Sequence, residues 1–279
     1  MPNTPTHIFT SQIHQDVVNY QNRVTNAGGT IAASTLAALN EFVVFCYKNG
    51  LRDSTGVSHL IRFCMIFVTQ SISGSSEMLW YPTGISSAVT TTGTPTYATT
   101  TGLTVSGRTN YQDTRIPGNT FNAYNNSLFI HSLNNTASRD YYGCDDANAG
   151  VTNGTRLLLN TGYSDNNLYY DNGNFTSGTG RVSAANATNN GLIVGVKNGA
   201  TQTVYERGNQ LVQNTTTATT GLTMPADTVK VTMCYAQDVG TANLVSRNLA
   251  GYGGGSAIPL ATISAFTTVW NAVQNTMGR

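Results

Sequence analysis

Charged side chains are scarce in this chain. Asp, Glu, Lys and Arg make up 10% of its 279 residues, against roughly 25% in ordinary globular proteins. The 14 Lys and Arg are scattered and leave a net charge of +1. An electrostatic nucleic-acid footprint needs several basic groups on one face, so that class of partner is excluded. Glutamate occurs at only three positions, Glu41, Glu77 and Glu206. A retaining glycosidase needs two carboxylates facing one sugar. Glutamates this far apart do not supply them, and the chain reads as a non-enzyme.

Cysteine is also sparse, with Cys46, Cys64, Cys144 and Cys234 in no metal-ligand or redox spacing. Cys46 and Cys64 lie inside apolar runs, where a thiol behaves as a small hydrophobe. Two readings stand: four reduced cysteines, or a Cys46–Cys64 bridge. The histidines His7, His14, His59 and His131 are isolated, without metal spacing. His131 is expected at the surface or capping a turn. The longest apolar stretch, Phe63 to Val68, is too short to span a bilayer. Nor does Met1-Pro2-Asn3-Thr4-Pro5-Thr6 show a basic region leading into an apolar core. The expectation is a protein without a signal peptide and without a membrane partner, made in the cytoplasm.

What replaces charge is Asn, Thr, Ser and Gly, which dominate residues 83–225. Within this polar background lie short apolar segments. Gly191-Leu192-Ile193-Val194-Gly195-Val196 is a continuous apolar run of buried-strand length. Thr203 to Val212 reads as a hairpin turning at Gly208-Asn209, residues that tolerate positive φ. Val229, Val231, Met233 and Tyr235 alternate with polar residues at period two. Further strands are expected at Met78–Tyr81, Leu103–Val105, Leu128–Leu133, Arg156–Asn160, Leu168–Tyr170 and Leu244–Asn248. The Thr runs at 90–101 and 215–220 read as loops at strand edges. Many short strands at this spacing predict a β-sandwich or jelly roll.

The two ends differ from the middle. Ile13, Val17, Tyr20 and Val24 form one helical stripe between Ser11 and Asn26, and Gly28-Gly29 ends it. A second helix is expected from about Ser34 to Lys48, with Leu36, Leu39, Phe42, Val43, Cys46 and Tyr47 on its apolar side. Residues 57–68 read either as a short helix or as the first strand of the sandwich. At the other end, Pro259 suits a first helical turn, and Leu260, Ile263, Phe266, Val269, Trp270, Val273 and Met277 form one stripe. The expected organisation is a helical anchoring segment (1–70), a β-sandwich domain (71–258) and a C-terminal helix packed on it (259–279). The first two helices carry more apolar surface than they can hide on each other, so they must pack on the β domain or on a neighbouring subunit.

Leu36-Ala37-Ala38-Leu39-Asn40-Glu41-Phe42-Val43-Val44, Asn126-Ser127-Leu128-Phe129-Ile130-His131-Ser132, the Gly191–Val196 run with its hairpin, and Phe266 to Arg279 occur in an order that resembles one family. It is the tailed-bacteriophage virion proteins with a concanavalin A-like (laminin G-like) sandwich. The resemblance implies a mainly β fold and a structural role in the virion, as head decoration, fibre or tail component. It also implies capsid or tail proteins as partners, a homo-oligomer, and a host-surface glycan as possible ligand. The family has no shared catalytic residues, and none are carried over.

A glycan site needs an exposed aromatic face flanked by amides and carboxylates. Tyr141, Tyr142, Tyr163, Tyr169, Tyr170 and Phe175 cluster among Asn and Asp. Alternation puts one of each adjacent Tyr pair outward. The candidate glycan contacts are Tyr141, Tyr142, Asp145, Asp146, Tyr169, Tyr170 and Asn172. The competing reading places these tyrosines in the core or at a subunit interface. No cofactor is expected. Calcium is a weaker expectation, with Asp165 and Asp171 as ligands in turns, where Asp and Asn also occur for turn geometry alone.

Overall fold

The structure is a computed structural model. It describes residues 12–54, 59–69, 74, 76–82, 85, 89–106, 111–133, 141–145, 155–160, 167–173, 179–185, 188, 190–225, 230–233 and 246–279. The chain forms a mainly β sandwich with helices near both ends.

One sheet has eight strands. In spatial order they are β13 (Asn209–Asn214), β12 (Thr201–Glu206), β11 (Gly191–Asn198), β6 (Asn125–Ser132), β15 (Ser246–Gly255), β4 (Gly102–Ser106) and β3 (Thr96–Ala98), with β1 (Ile61–Ile66) also paired to β15. The second sheet has seven: β10 (Arg181–Ala185), β9 (Asn167–Asn172), β8 (Arg156–Asn160), β7 (Tyr141–Asp145), β14 (Lys230–Met233), β5 (Tyr111–Pro117) and β2 (Thr90–Thr92). Every pairing is antiparallel.

Between the sheets lies one apolar core. Phe63, Leu128, Ile130, Ile193, Val204 and Tyr252 come from the eight-stranded sheet, and Tyr142, Leu157, Leu159, Leu168, Tyr170 and Val231 from the seven-stranded sheet. On the other face of the eight-stranded sheet lie three helices: α1 (Gln15–Asn26), α2 (Ala33–Lys48) and α3 (Ile263–Asn275). Their buried residues, Val17, Tyr20, Val24, Leu39, Phe42, Ile263, Phe266 and Trp270, pack with Cys64, Ile66, Phe129, Leu192, Val194 and Val196. The eight-stranded sheet is therefore covered on both faces. That is why Gly191–Val196 is apolar at every position: Leu192, Val194 and Val196 meet the helices, while Ile193 meets the opposite sheet.

The apolar surface of the first two helices is thus occupied inside the same chain. Of the predicted α1 stripe, Val17, Tyr20 and Val24 are buried and only Ile13 is exposed, at 45%. Residues 61–66, placed in the anchoring segment from sequence, are strand β1 of the sandwich itself. Asp16 fastens the helical layer, accepting from the Trp80 indole at 2.7 Å and from the Tyr47 hydroxyl at 2.8 Å. Phe42 sits at its centre, with ring centroids 5.7–5.8 Å from Trp80, Phe266 and Trp270. Cys46 and Cys64 are buried and unbridged, and burial pushes both thiols above their usual range.

Several local expectations need correction. The hairpin turns at Arg207-Gly208, one residue earlier than expected. Glu206 pairs with Asn209, and φ is +53° at Arg207 and +80° at Gly208. A two-residue loop with positive φ at both positions matches the twist of its strands. Arg207 holds the strained position while its N–H donates to the Leu192 carbonyl at 2.8 Å and its Nε to the Asn190 carbonyl at 3.0 Å. Thr90–Thr92 and Thr96–Ala98 are strands, not loops, because neighbours β5 and β4 offer them backbone partners. Met78–Tyr81 contributes only an isolated bridge from Trp80 to Cys64. Val229–Tyr235 shortens to Lys230–Met233, its remainder lying outside the described residues.

Strand β15 carries four glycines near its end, yet it is the longest strand. A Cβ at Gly253 would collide with the Phe129 ring, and one at Gly251 would sit 3.0 Å from the Trp270 indole. The missing side chains let both rings lie against the sheet, and α3 docks there.

Candidate functional site

The helices cover the outer side of one sheet, which leaves the outer side of the other as the candidate face. Cross-strand register sets a row of residues across it. Arg181 lies opposite Asp171, Asp171 opposite Leu158, Leu158 opposite Gly143, Gly143 opposite Thr232, Thr232 opposite Asp113, and Asp113 opposite Thr90. A second row runs Ser183, Tyr169, Asn160, Tyr141.

Alternation explains which tyrosines reach this face. Tyr142 and Tyr170 point into the core and have no exposed surface. The Tyr142 hydroxyl donates across the sandwich to the Gly253 carbonyl at 3.0 Å, and the Tyr170 hydroxyl donates to Asn126 Oδ1. Asn172 is also fully buried and accepts from Asn126 Nδ2 at 3.2 Å. Tyr142, Tyr170 and Asn172 are therefore corrected from glycan contacts to core residues: a ring packed on both sides has no face left for a sugar. Tyr169, one residue from Tyr170, is half-buried on the outer face. Tyr141 and Asp145 occupy β7, with their backbones opposite Asn160 and Arg156, and their side chains lie outside the described residues. Asp146, Tyr163, Asp165 and Phe175 also lie outside them.

Asp171, expected as a calcium ligand, is instead the buried centre of an ionic group. Arg181 binds it through Nε at 2.5 Å and Nη2 at 2.6 Å, and Arg156 Nη1 reaches it at 3.3 Å. Both carboxylate oxygens thus accept from guanidinium groups, in the two-pronged geometry that suits arginine. A carboxylate so occupied does not serve as a cation ligand. Among the described residues no group of three His, Cys, Asp or Glu is placed to hold a metal. The Arg181 guanidinium also lies 4.5 Å from the Tyr169 ring centroid, a cation–π contact.

Arg156, Arg181, Ser183 and Thr232 were missed in the sequence. Arg181-Val182-Ser183 holds a single apolar residue, too short a period-two signal to announce an edge strand. Gly143 stands mid-row with φ at +141°, and a Cβ there would strike the Leu157 carbonyl. It leaves the row without a side chain between Leu158 and Thr232. The face therefore carries hydroxyls, two guanidinium groups held by Asp171 and one half-buried aromatic ring, with Leu158, Asp171 and Thr232 buried along the first row.

A second polar group lies inside the sandwich. Asn126, Lys197 and Gln202 stand side by side on β6, β11 and β12. Gln202 Nε2 donates to the Tyr170 carbonyl at 2.8 Å and the Gly180 carbonyl at 3.1 Å. The Lys197 amine, fully buried, donates to Thr217 Oγ1 and to the Ala218 carbonyl at 3.0 Å. Burial pushes its pKa down to about 8. The three glutamates are dispersed: Glu41 is on α2, Glu77 accepts from the Tyr81 hydroxyl at 2.6 Å, and Glu206 on β12 accepts from Thr188. No described helix is long and apolar enough to cross a membrane.

No family model and no curated protein matches the sequence. Among solved structures, the chain is similar to the sialidase of Trypanosoma rangeli in complex with a 2,3-difluoro-KDN compound. That match has 10% identity and a TM-score of 0.51, and covers 92% of this chain and 39% of that one. The chain is also similar to the binding domain of botulinum neurotoxin serotype D, at 9% identity and a TM-score of 0.48, covering 74% of this chain and 51% of that one. A third likeness is to the binding domain of botulinum neurotoxin DC in complex with rat synaptotagmin II, at 12% identity and a TM-score of 0.46. This chain thus spans about half the length of the neurotoxin domains and less of the sialidase. At such identity the likeness is one of fold.

Proposed function

We propose that this protein is a carbohydrate-binding β-sandwich module, and that the outer face of the seven-stranded sheet around Tyr169 is its binding surface. The observation that carries the reading is the second row across that face. Tyr169 presents part of its ring beside the exposed Ser183, with the Arg181 guanidinium at 4.5 Å and the Asn160 backbone opposite on β8. Sugars are bound by this combination, an aromatic surface for C–H groups beside hydrogen-bonding side chains for hydroxyls. The sialidase of similar fold is named in complex with an acidic sugar analogue, which guides the choice of ligands for a test.

A single site of this kind binds at about millimolar, roughly −4 kcal/mol. Useful affinity then comes from several copies acting together. The bacteriophage setting implied by the sequence resemblance is not part of this reading, because the helical faces that motivated an anchor are occupied within the chain.

The experiment is a glycan array, followed by NMR titration, comparing the wild type with Tyr169→Ala. Binding by the wild type to one or more glycans, reduced at least tenfold in a folded Tyr169→Ala protein, supports the site. Absence of any wild-type binding at millimolar ligand removes the function. Binding untouched by Tyr169→Ala moves the site elsewhere.

A further inference from the structure

We propose that strand β13 is a self-pairing edge, through which two copies of this chain join their eight-stranded sheets into one. β13 ends that sheet, and among the described residues only β12 is hydrogen-bonded to it. Asn209, Gln210, Leu211 and Gln213 are exposed, Leu211 at 36%. Proteins usually guard such an edge with Lys, Pro or an inward charge. This strand has none of these.

Its sequence, Asn209-Gln210-Leu211-Val212-Gln213-Asn214, reads almost identically in both directions. Laid antiparallel on a second copy, Asn209 meets Asn214, Gln210 meets Gln213 and Leu211 meets Val212. Each amide finds an amide and each apolar side chain an apolar one, the isologous pattern of a two-fold interface. Cross-strand pairs of matched chemistry stabilise a sheet.

In a regular strand this pairing fails. A two-fold axis normal to the sheet keeps each face on its own side, so opposed residues must share a face. Residues 210 and 213, three apart, ordinarily point to opposite faces. The β-bulge in this hairpin removes the obstacle. Val212 pairs with Val204, but Gln210 pairs with Tyr205, which leaves Leu211 as the extra residue. Gln210 is thus opposite Tyr205 and Gln213 opposite Thr203, two apart on β12 and therefore on one face. The side chains agree: the Tyr205 hydroxyl donates to Gln210 Oε1 at 3.4 Å, and Gln213 Nε2 donates to Thr203 Oγ1 at 3.3 Å. Asn209 and Asn214 face Glu206 and Gln202, four apart, and share the other face.

The backbone is in phase too. Glu206 and Asn209 close the two-residue turn and form its hydrogen-bonded pair. Pairs alternate from there, so Gln210 and Gln213 direct their N–H and C=O groups away from β12. These are the two residues that the palindrome sets against each other. The joint gains about four backbone hydrogen bonds. This edge belongs to the sheet opposite the proposed sugar face, so neither idea depends on the other.

Sedimentation velocity of the full chain from about 1 to about 300 μM should show a monomer–dimer equilibrium. Leu211→Lys, at an exposed position, should weaken association at least tenfold while the circular dichroism spectrum is kept. The double variant Gln210→Cys/Gln213→Cys should form disulfide-linked dimers on oxidation. Opposed residues of the joint lie about 5.5 Å apart at Cα, within disulfide reach. The same two positions within one copy are about 10 Å apart. A chain that stays monomeric throughout, a dimer indifferent to Leu211→Lys, or a double variant that fails to cross-link would each overturn the proposal.

Discussion

The indole N–H of Trp270 donates to Nδ1 of His131 at 2.8 Å, tying helix α3 to the C-terminal end of strand β6. His131, expected at the surface from sequence, is buried and therefore neutral. Desolvation, with smaller contributions from Arg279 and Arg207, pushes its pKa down to about 3. The imidazole acts as an acceptor inside the helix–sheet layer, a role it loses on protonation.

That relationship predicts an acid-sensitive fold. The folded-state pKa lies below the unfolded value of 6.5, so the unfolded chain binds the proton first. The stability contributed by neutral His131 is fully present above pH 6.5 and is lost as pH falls toward 3. At pH 4 the loss is about 3 kcal/mol. His131→Gln keeps an acceptor that does not titrate. Urea unfolding at pH 7, 5 and 4 should show a smaller decline for this variant than for the wild type; equal declines would contradict the assignment.

Lys197 predicts an effect of the opposite kind. Its amine donates to a hydroxyl and a carbonyl, and its pKa lies at about 8 against 10.5 unfolded. The penalty is complete below pH 8 and is relieved as pH rises toward 10.5. Lys197→Met removes a buried charge while Thr217 keeps its bond to the Ala200 carbonyl at 2.6 Å. The variant should be as stable as the wild type or more stable by about 1–3 kcal/mol at pH 7. Thermal melts at pH 7 and pH 9.5 should show the gap narrowing with pH.

Gly195 and Tyr170 predict a coupled pair. A Cβ at Gly195 would lie 2.7 Å from the Tyr170 ring, which is buried across the sandwich. Gly195→Ala should cost about 1–3 kcal/mol by overpacking. Combined with Tyr170→Leu, the cost of Gly195→Ala should shrink, giving a coupling energy of at least about 0.5 kcal/mol in a double-mutant cycle.

Asp171 predicts a stability effect without a metal effect. Asp171→Ala removes the carboxylate shared by Arg156 and Arg181 and should destabilise by about 3–5 kcal/mol. Because guanidinium groups occupy both oxygens, the loss measured by denaturant unfolding should be the same in calcium and in EDTA.

Much of the architecture is legible in the sequence because it is written in periodicity. The stripes of α1, α2 and α3 at helical spacing each become a buried face. The unbroken run at Gly191–Val196 announces a strand covered on both sides. Where periodicity is absent, the reading fails. Thr90–Thr92, Thr96–Ala98 and the glycine-rich end of β15 are strands only because neighbours supply backbone partners, or because the rings of Phe129 and Trp270 need the room. The candidate face was half legible. Alternation says that one tyrosine of each pair turns outward, but which one depends on the phase of strands that only the packed sandwich fixes.

Apolar spacing and turn residues alone thus determined a β-sandwich with helices near both ends. Only the tertiary structure decided that the terminal helices cover one sheet, that Tyr170 is core while Tyr169 faces outward, and that Asp171 belongs to two arginines. These outcomes rest on contacts between strands far apart in the chain. A local pattern carries no record of them, because burial is a property of what arrives on the other side.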